Sequence, residues 1–354
     1  PGVLHAIEKE NPDALTREHW SVKCLQTIGG EAATSLAKAL GDSNVSVRLV
    51  AARALGELGP VAAPAAGALI ASASDGDPRV RATALGALVA TRAQTSAAIS
   101  RVESGLKDAS PVVRIAAAQL VAQFGDQSRA LAPALLAALD DREPAVRRAV
   151  IDALPFVGAA AEPAIAGLLK VLPGADAETR VRALAVFAGI GPQAKAALPA
   201  VTDLLKDGEP AVRAAALAAF GKIQEPKEAR VPIVIAALDD PALPVRKAAV
   251  EQLAPLGDRV RDAAPKLVAM LQRDDERDAA FDVLRQISIR SVPDLITMLS
   301  DRDLTVKVFA TQRLGRLGPE ARDAIPALEA ILQSHEREEL KRNVAEALKH
   351  IRPQ

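Results

Sequence analysis

The chain is 354 residues long and carries 44 Lys plus Arg against 44 Asp plus Glu, so no net charge draws a polyanion to it. Hydrophobic residues make up 49% but aromatic residues only 2%, with one Trp and no Tyr, so its core has to be Ala, Leu, Val and Ile. The single Cys24 excludes an intrachain disulfide framework and a multi-cysteine metal site, and no uninterrupted apolar run reaches the roughly 20 residues of a membrane helix.

Taken from its start, the chain repeats. Anchor positions fall at Glu18, Arg48, Arg81, Arg114, Arg147, Arg180, Arg213, Arg246, Arg277, Lys307 and Lys341. The spacing is 33 residues without a break from Arg48 to Arg246, and 30, 31, 30 and 34 at the edges. Such a period overrules the length-based expectation of several domains and predicts one repeat domain over residues 1–354.

The first unit, anchored at Glu18, lacks a polar cap, which leads us to expect sequence before Pro1. Its Cys24 sits among helix-core positions as a buried, inert thiol, and His19, like His350 in the last unit, is expected at the surface. From the second unit onward each repeat predicts two helices. The first opens on Pro, as at Pro64, Pro163, Pro199, Pro232, Pro265, Pro293 and Pro326, where a missing amide costs no hydrogen bond. The second carries the anchor and an apolar stripe such as Val146, Val150, Leu154 and Val157. It closes on Gly59, Gly125, Gly158, Gly191, Gly257 or Gly318, where a left-handed residue is often needed.

Six residues before the anchor stands Asp: Asp42, Asp75, Asp108, Asp141, Asp207, Asp240 and Asp301. A carboxylate there can accept amides at the start of the second helix and face an Arg of its own or the adjacent unit. Asp42, Arg48, Asp75, Arg81, Asp108, Arg114, Asp141, Arg147, Asp207, Arg213, Asp240 and Arg246 therefore read as a structural ladder. The pattern departs at the Arg180 unit, which lacks that Asp, at the short Arg277 unit, and at the last, where His335 replaces Asp. The last unit is dense in charge, as a solvated cap should be.

The Pro-led helix, the Asp turn and the Val-Arg helix ending in Leu-Gly resemble HEAT repeats, above all the bacterial form also found in phycobilisome lyases. Val47-Arg48, Val80-Arg81, Val113-Arg114, Val146-Arg147, Val212-Arg213 and Val245-Arg246 carry the likeness. The resemblance implies an all-α fold, an α-solenoid: a right-handed superhelix of about eleven stacked antiparallel helix pairs, with second helices lining the concave face.

No catalytic, cofactor-binding or metal site is legible. The phosphate-cradling loop, the nucleophile elbow and the paired cysteines are all missing. Deoxyhypusine hydroxylase, built of similar repeats, binds iron through several His-Glu pairs; this chain has only His335-Glu336, which excludes that activity. The expectation is a noncatalytic scaffold with a protein or peptide partner, no cofactor and no nucleic acid. The alternatives are a lyase-like chaperone of a chromophore or cofactor protein and a HEAT-like nucleic-acid binder. The default compartment is the cytoplasm, with an exported bacterial protein as the alternative.

On the geometry the family implies, positions five, eight and nine after the anchor face the groove. They are polar at the ends: Lys23, Gln26 and Thr27, then Arg53 and Glu57, and later Asp282, Arg285, Gln286, Gln312 and Arg316. Between lie Asp152, Pro155 and Phe156; Ala185, Ala188 and Gly189; Ala218, Gly221 and Lys222; and Glu251, Ala254 and Pro255. This smaller, more apolar floor is the candidate partner surface, with Phe156 as its anchor.

Overall fold

The computed structural model describes residues 29–93, 95–157, 161–224 and 227–352. The expectations for Glu18, Lys23, Cys24, Gln26, Thr27, His19 and Gly158 fall outside them. Among the described residues there are twenty α-helices and no strand, and the chain is an all-α solenoid.

Two compact units meet at Ala197 and Leu198. In the first, the pairs are α1 (Gly30–Ala39) with α2 (Val45–Leu58), α3 (Ala66–Ser72) with α4 (Pro78–Ala90), and α5 (Thr95–Gly105) with α6 (Pro111–Leu120). They continue with α7 (Ala132–Ala138) and α8 (Pro144–Ala153), then α9 (Ala161–Val171) and α10 (Ala177–Ile190). In the second, α11 (Leu198–Leu204) pairs with α12 (Pro210–Ile223), α13 (Val231–Ala237) with α14 (Leu243–Leu253), and α15 (Ala264–Met270) with α16 (Arg277–Gln286). The last pairs are α17 (Val292–Leu299) with α18 (Leu304–Leu317) and α19 (Ile325–Gln333) with α20 (Glu338–Ile351).

The local sequence explains the boundaries. Pro78, Pro111, Pro144 and Pro210 start their helices where an amide would have no partner. Asn44, Asp77 and Asp303 cap theirs by accepting the amides of Ser46, Arg79 and Thr305 at 2.7–2.9 Å. Gly318 closes α18 at φ 57° and ψ −133°, a mirror-extended region that a Cβ closes off rather than the left-handed helical well. Arg92 occupies the equivalent place after α4 with φ 54°. A 3-10 segment follows several such closures, so Pro64 lies within one, while Pro199, Pro232, Pro265, Pro293 and Pro326 are each second in their helices.

Second helices pack on one another in succession, from α2 to α10 in the first unit. The residues seven after the anchors, Leu55, Leu88, Val121, Leu154, Phe187, Phe220 and Leu253, are all buried between layers. Each such side chain contributes about 1.5–3 kcal/mol of transfer free energy. In the second unit α12 packs on α14, α14 on α16 and α18 on α20. Phe281 of α16 meets Phe309 of α18 edge to face at 5.6 Å, with the Arg313 guanidinium 5.1 Å from the Phe309 ring centre.

Position eight after the anchor serves this packing. A Cβ on Gly56 would lie 3.4 Å from the Ala87 Cα, and one on Gly315 3.1 Å from the Ala347 Cα. Small residues there are demanded by helix approach as well as by any groove.

Two stretches, Val45–Ser72 and Ala177–Leu204, reach mean hydropathies of 1.4 and 1.3 over a span-length window. Gly59 and Gly191, at φ 57° and 69°, break each of them. Among the described residues no single α-helix exceeds 14 residues, about 21 Å of rise against the roughly 30 Å of a bilayer core.

Candidate functional site

The second helices are held in register by ion pairs between successive repeats. Arg48 donates through Nε and Nη2 to Asp75 at 2.7 and 2.9 Å, and through Nη1 to the carbonyls of Asp42 and Ser43 at 2.9 and 3.1 Å. Arg81 with Asp108, Arg114 with Asp141 and Arg213 with Asp240 repeat the arrangement. Each Arg thus takes a carboxylate from the next repeat and backbone carbonyls from its own. The carboxylate in turn accepts the amide of the residue that precedes the helix, as Asp75 does from Asp77 at 2.8 Å and Asp207 from Glu209 at 2.9 Å. That bond shapes the turn into the helix instead of capping its first turn.

These carboxyls sit below their ordinary range. For Asp75 and Asp240 the guanidinium hydrogen bond is the main cause, from Arg48 and Arg213 respectively. At Asp108 and Asp141 burial pushes upward but is outweighed by Arg81 and Arg114 together with the backbone amides.

Two departures from the repeat keep their rung by other means. Arg246 donates to Glu276, which is buried, at 2.6 Å, and Arg277 pairs with the buried Asp301. Lys307 pairs with Glu336, the neighbour of the exposed His335. The third departure differs: Gly174 stands 27 residues after Arg147, where other rungs have Asp. Arg147 still donates through Nη1 to the carbonyls of Asp141 and Arg142 at 2.8 and 3.2 Å. Asp176, two residues beyond Gly174, pairs with Arg148 at 3.1 Å and caps α10 through the Thr179 amide at 2.8 Å.

On the faces of α6, α8 and α10, which pack on one another in succession, lies a groove of about 410 Å³. Asp152 and Phe156 both line it, together with Ile115, Gln119, Arg148 and Arg182 among others. Pro155 explains the posture of Phe156: lacking an amide, it turns the end of α8 into a short 3-10 stretch, Leu154–Val157. Leu154 and Val157 point into the core while Phe156 is left 54% exposed. The buried Ser128 hydroxyl donates to the Phe156 carbonyl at 2.5 Å and so ties this turn to the preceding one.

The charges around the groove are paired off. Arg182 bonds Asp152 and, at 2.8 Å, Glu178, while Arg148 reaches Asp176 and Glu178. Arg182 holds the Glu178 carboxyl below its usual range. Two guanidinium groups against three carboxylates do not make a polyanion surface.

The other candidate residues lie apart from this groove. Ala185 and Gly189 are exposed and Ala188 half-buried on α10. Lys222 and Glu251 are exposed, and Ala218 half-buried, on α12 and α14 of the second unit. Ile115, Gln119, Arg148 and Arg182 were not candidates. Gln119 stands at position five of its own repeat, Ile115 and Arg148 stand one turn earlier on the row that runs through Asp152 and Phe156, and Arg182, two residues after its anchor, lies on the adjoining row. Among the described residues no group of three or more His, Cys, Asp and Glu is placed to hold a metal.

The sequence matches the family of HEAT repeats over residues 33–103, 99–172 and 165–231. A comparison with curated proteins finds no match. Among solved structures the fold is similar to an engineered protein at TM-score 0.55 and 20% identity, covering 90% of this chain and 98% of that one. It is similar to Kap95p, from a study of its binding to RanGDP, at TM-score 0.63 and 13% identity over 99% of this chain and 55% of that one. It is also similar to the karyopherin Kap121p bound to the extreme C-terminus of the phosphatase Cdc14p, at TM-score 0.52 and 16% identity, over 99% and 50%. The chain thus spans about half the length of Kap95p and Kap121p, and at these identities the likeness is one of fold.

Proposed function

The chain belongs to the HEAT-repeat family, and on that footing we propose that it is a noncatalytic scaffold that binds a protein segment along its second helices, at the groove under Phe156. The observation that carries this reading is Phe156 itself. A phenyl ring left 54% exposed, beside a groove floored by Ala118, Ala122, Ala145 and Ala149, offers apolar area that a partner can cover. Paired charges at the rim leave the floor to set affinity and the rim to set orientation. Kap121p, with a bound segment of Cdc14p, gives a precedent for this use of the fold.

The test is affinity capture from the native source by the wild-type chain, Phe156→Asp, and Phe156→Asp with Ala188→Arg. A protein retained by the wild type and lost from both variants, at unchanged helicity, supports the proposal. Equal retention by all three removes it.

A further inference from the structure

We infer that Arg147 receives a carboxylate from outside the chain, completing the one rung whose acid the sequence replaces by Gly174. The geometry of the filled rungs defines what is missing. In Arg48, Arg81, Arg114 and Arg213, Nη1 is fixed by two backbone carbonyls of the same repeat, while Nε and Nη2 grip both oxygens of one carboxylate at 2.6–2.9 Å. Arg147 keeps the first half of this arrangement, with Nη1 on Asp141 and Arg142. Its Nε is buried and has no acceptor among the described residues.

Arg180 and Arg182 also have a buried Nε without an acceptor among the described residues, but at the Arg147 rung the acid itself is replaced, by Gly174. At the other irregular repeats the chain supplies a substitute, Glu276 for Arg246 and Glu336 for Lys307. The acids near Arg147 are committed elsewhere: Asp140 to Lys170 at 2.8 Å, and Asp176 to Arg148 and the Thr179 amide. With Nη1 anchored as in the filled rungs, the guanidinium is held ready to grip a carboxylate, its Nε unmatched among the described residues. Arg148, the next residue, lines the groove at Phe156, so an acidic side chain of a docked segment and a free small carboxylate share the chemistry this guanidinium selects.

Sodium acetate and an alternating Glu-Ser peptide, each against sodium chloride at matched ionic strength, are the probes, read by the Arg147 Nε–H resonance and the unfolding midpoint. The expected result is a saturable resonance shift and a raised midpoint in the wild type. The midpoint rise is lost in Arg147→Met, and both responses are lost in Gly174→Asp, which has a raised midpoint without any probe. The substitution has room, since a Cβ on Gly174 meets nothing within 4 Å. Saturation by the peptide at a tenfold lower carboxylate concentration than acetate assigns the site to a protein side chain, and equal concentrations assign it to a free small carboxylate. A wild type that responds to neither probe beyond chloride overturns the inference, as does a Gly174→Asp variant that responds as the wild type does.

Discussion

Arg114 and Asp141, 27 residues apart in sequence, join two repeats through a two-pronged pair at 2.6 and 2.9 Å. Their side chains are only 8% and 11% exposed. Each partner is thus nearly stripped of water and depends on the other for its compensation.

Removing one partner leaves the other charged and nearly buried. Asp141→Ala is expected to cost about 2–4 kcal/mol, read as a drop in the denaturant midpoint. Arg79→Ala, which breaks an exposed pair with Asp77, should leave the midpoint almost where it was.

The same pairs set the response to acid. Asp75, Asp108, Asp141, Asp240 and Glu276 have carboxyls held below their ordinary values. A lowered folded-state pKa contributes stability that is fully present above the unfolded value, about 3.9 for Asp, and is lost as pH falls through the folded value. The melting temperature should therefore be level from neutrality to about pH 5 and fall below about pH 4. Asp77, held at about 2 by Arg79, titrates late in that fall.

Backbone conformation divides the glycines. Gly318 adopts φ 57° and ψ −133°, so Gly318→Ala should cost about 1–3 kcal/mol. Gly189 lies exposed within α10 with nothing within 4 Å of an added Cβ, and Gly189→Ala should gain about 0.5–1 kcal/mol. Chemical denaturation of the two variants checks both signs.

Arg92 carries φ 54° in the place that glycines fill elsewhere. Arg92→Gly should stabilise the chain by about 1 kcal/mol, again measured by denaturation. A loss would mean that the Arg92 side chain contributes more than its backbone costs.

The period made the helix pairs legible because stacking forces the same side chains to the same depth in every repeat, as Leu55, Leu88 and Val121 show. It left open which Asp each Arg meets, since own and adjacent repeats present the same residue types at the same register. Only the packing brings Asp141 to Arg114 and leaves the Asp108 backbone carbonyl for Nη1. The rescue of rungs by Glu276 and Glu336 was hidden because neither sits at the repeat's Asp position. In the groove, Asp152 and Phe156 stand out from sequence, but Arg148 and Arg182 do not. Their part depends on how three helices converge, which a single-helix row does not encode.

The proposal that a partner covers Phe156 is tested most directly by a photo-crosslinking amino acid placed at position 156 and, as control, in place of Val61, another exposed apolar residue at 46%. Irradiation in the native extract should give a discrete protein adduct from position 156 and none of the same mass from position 61. The absence of an adduct from 156, or the same adduct from both positions, would contradict the account.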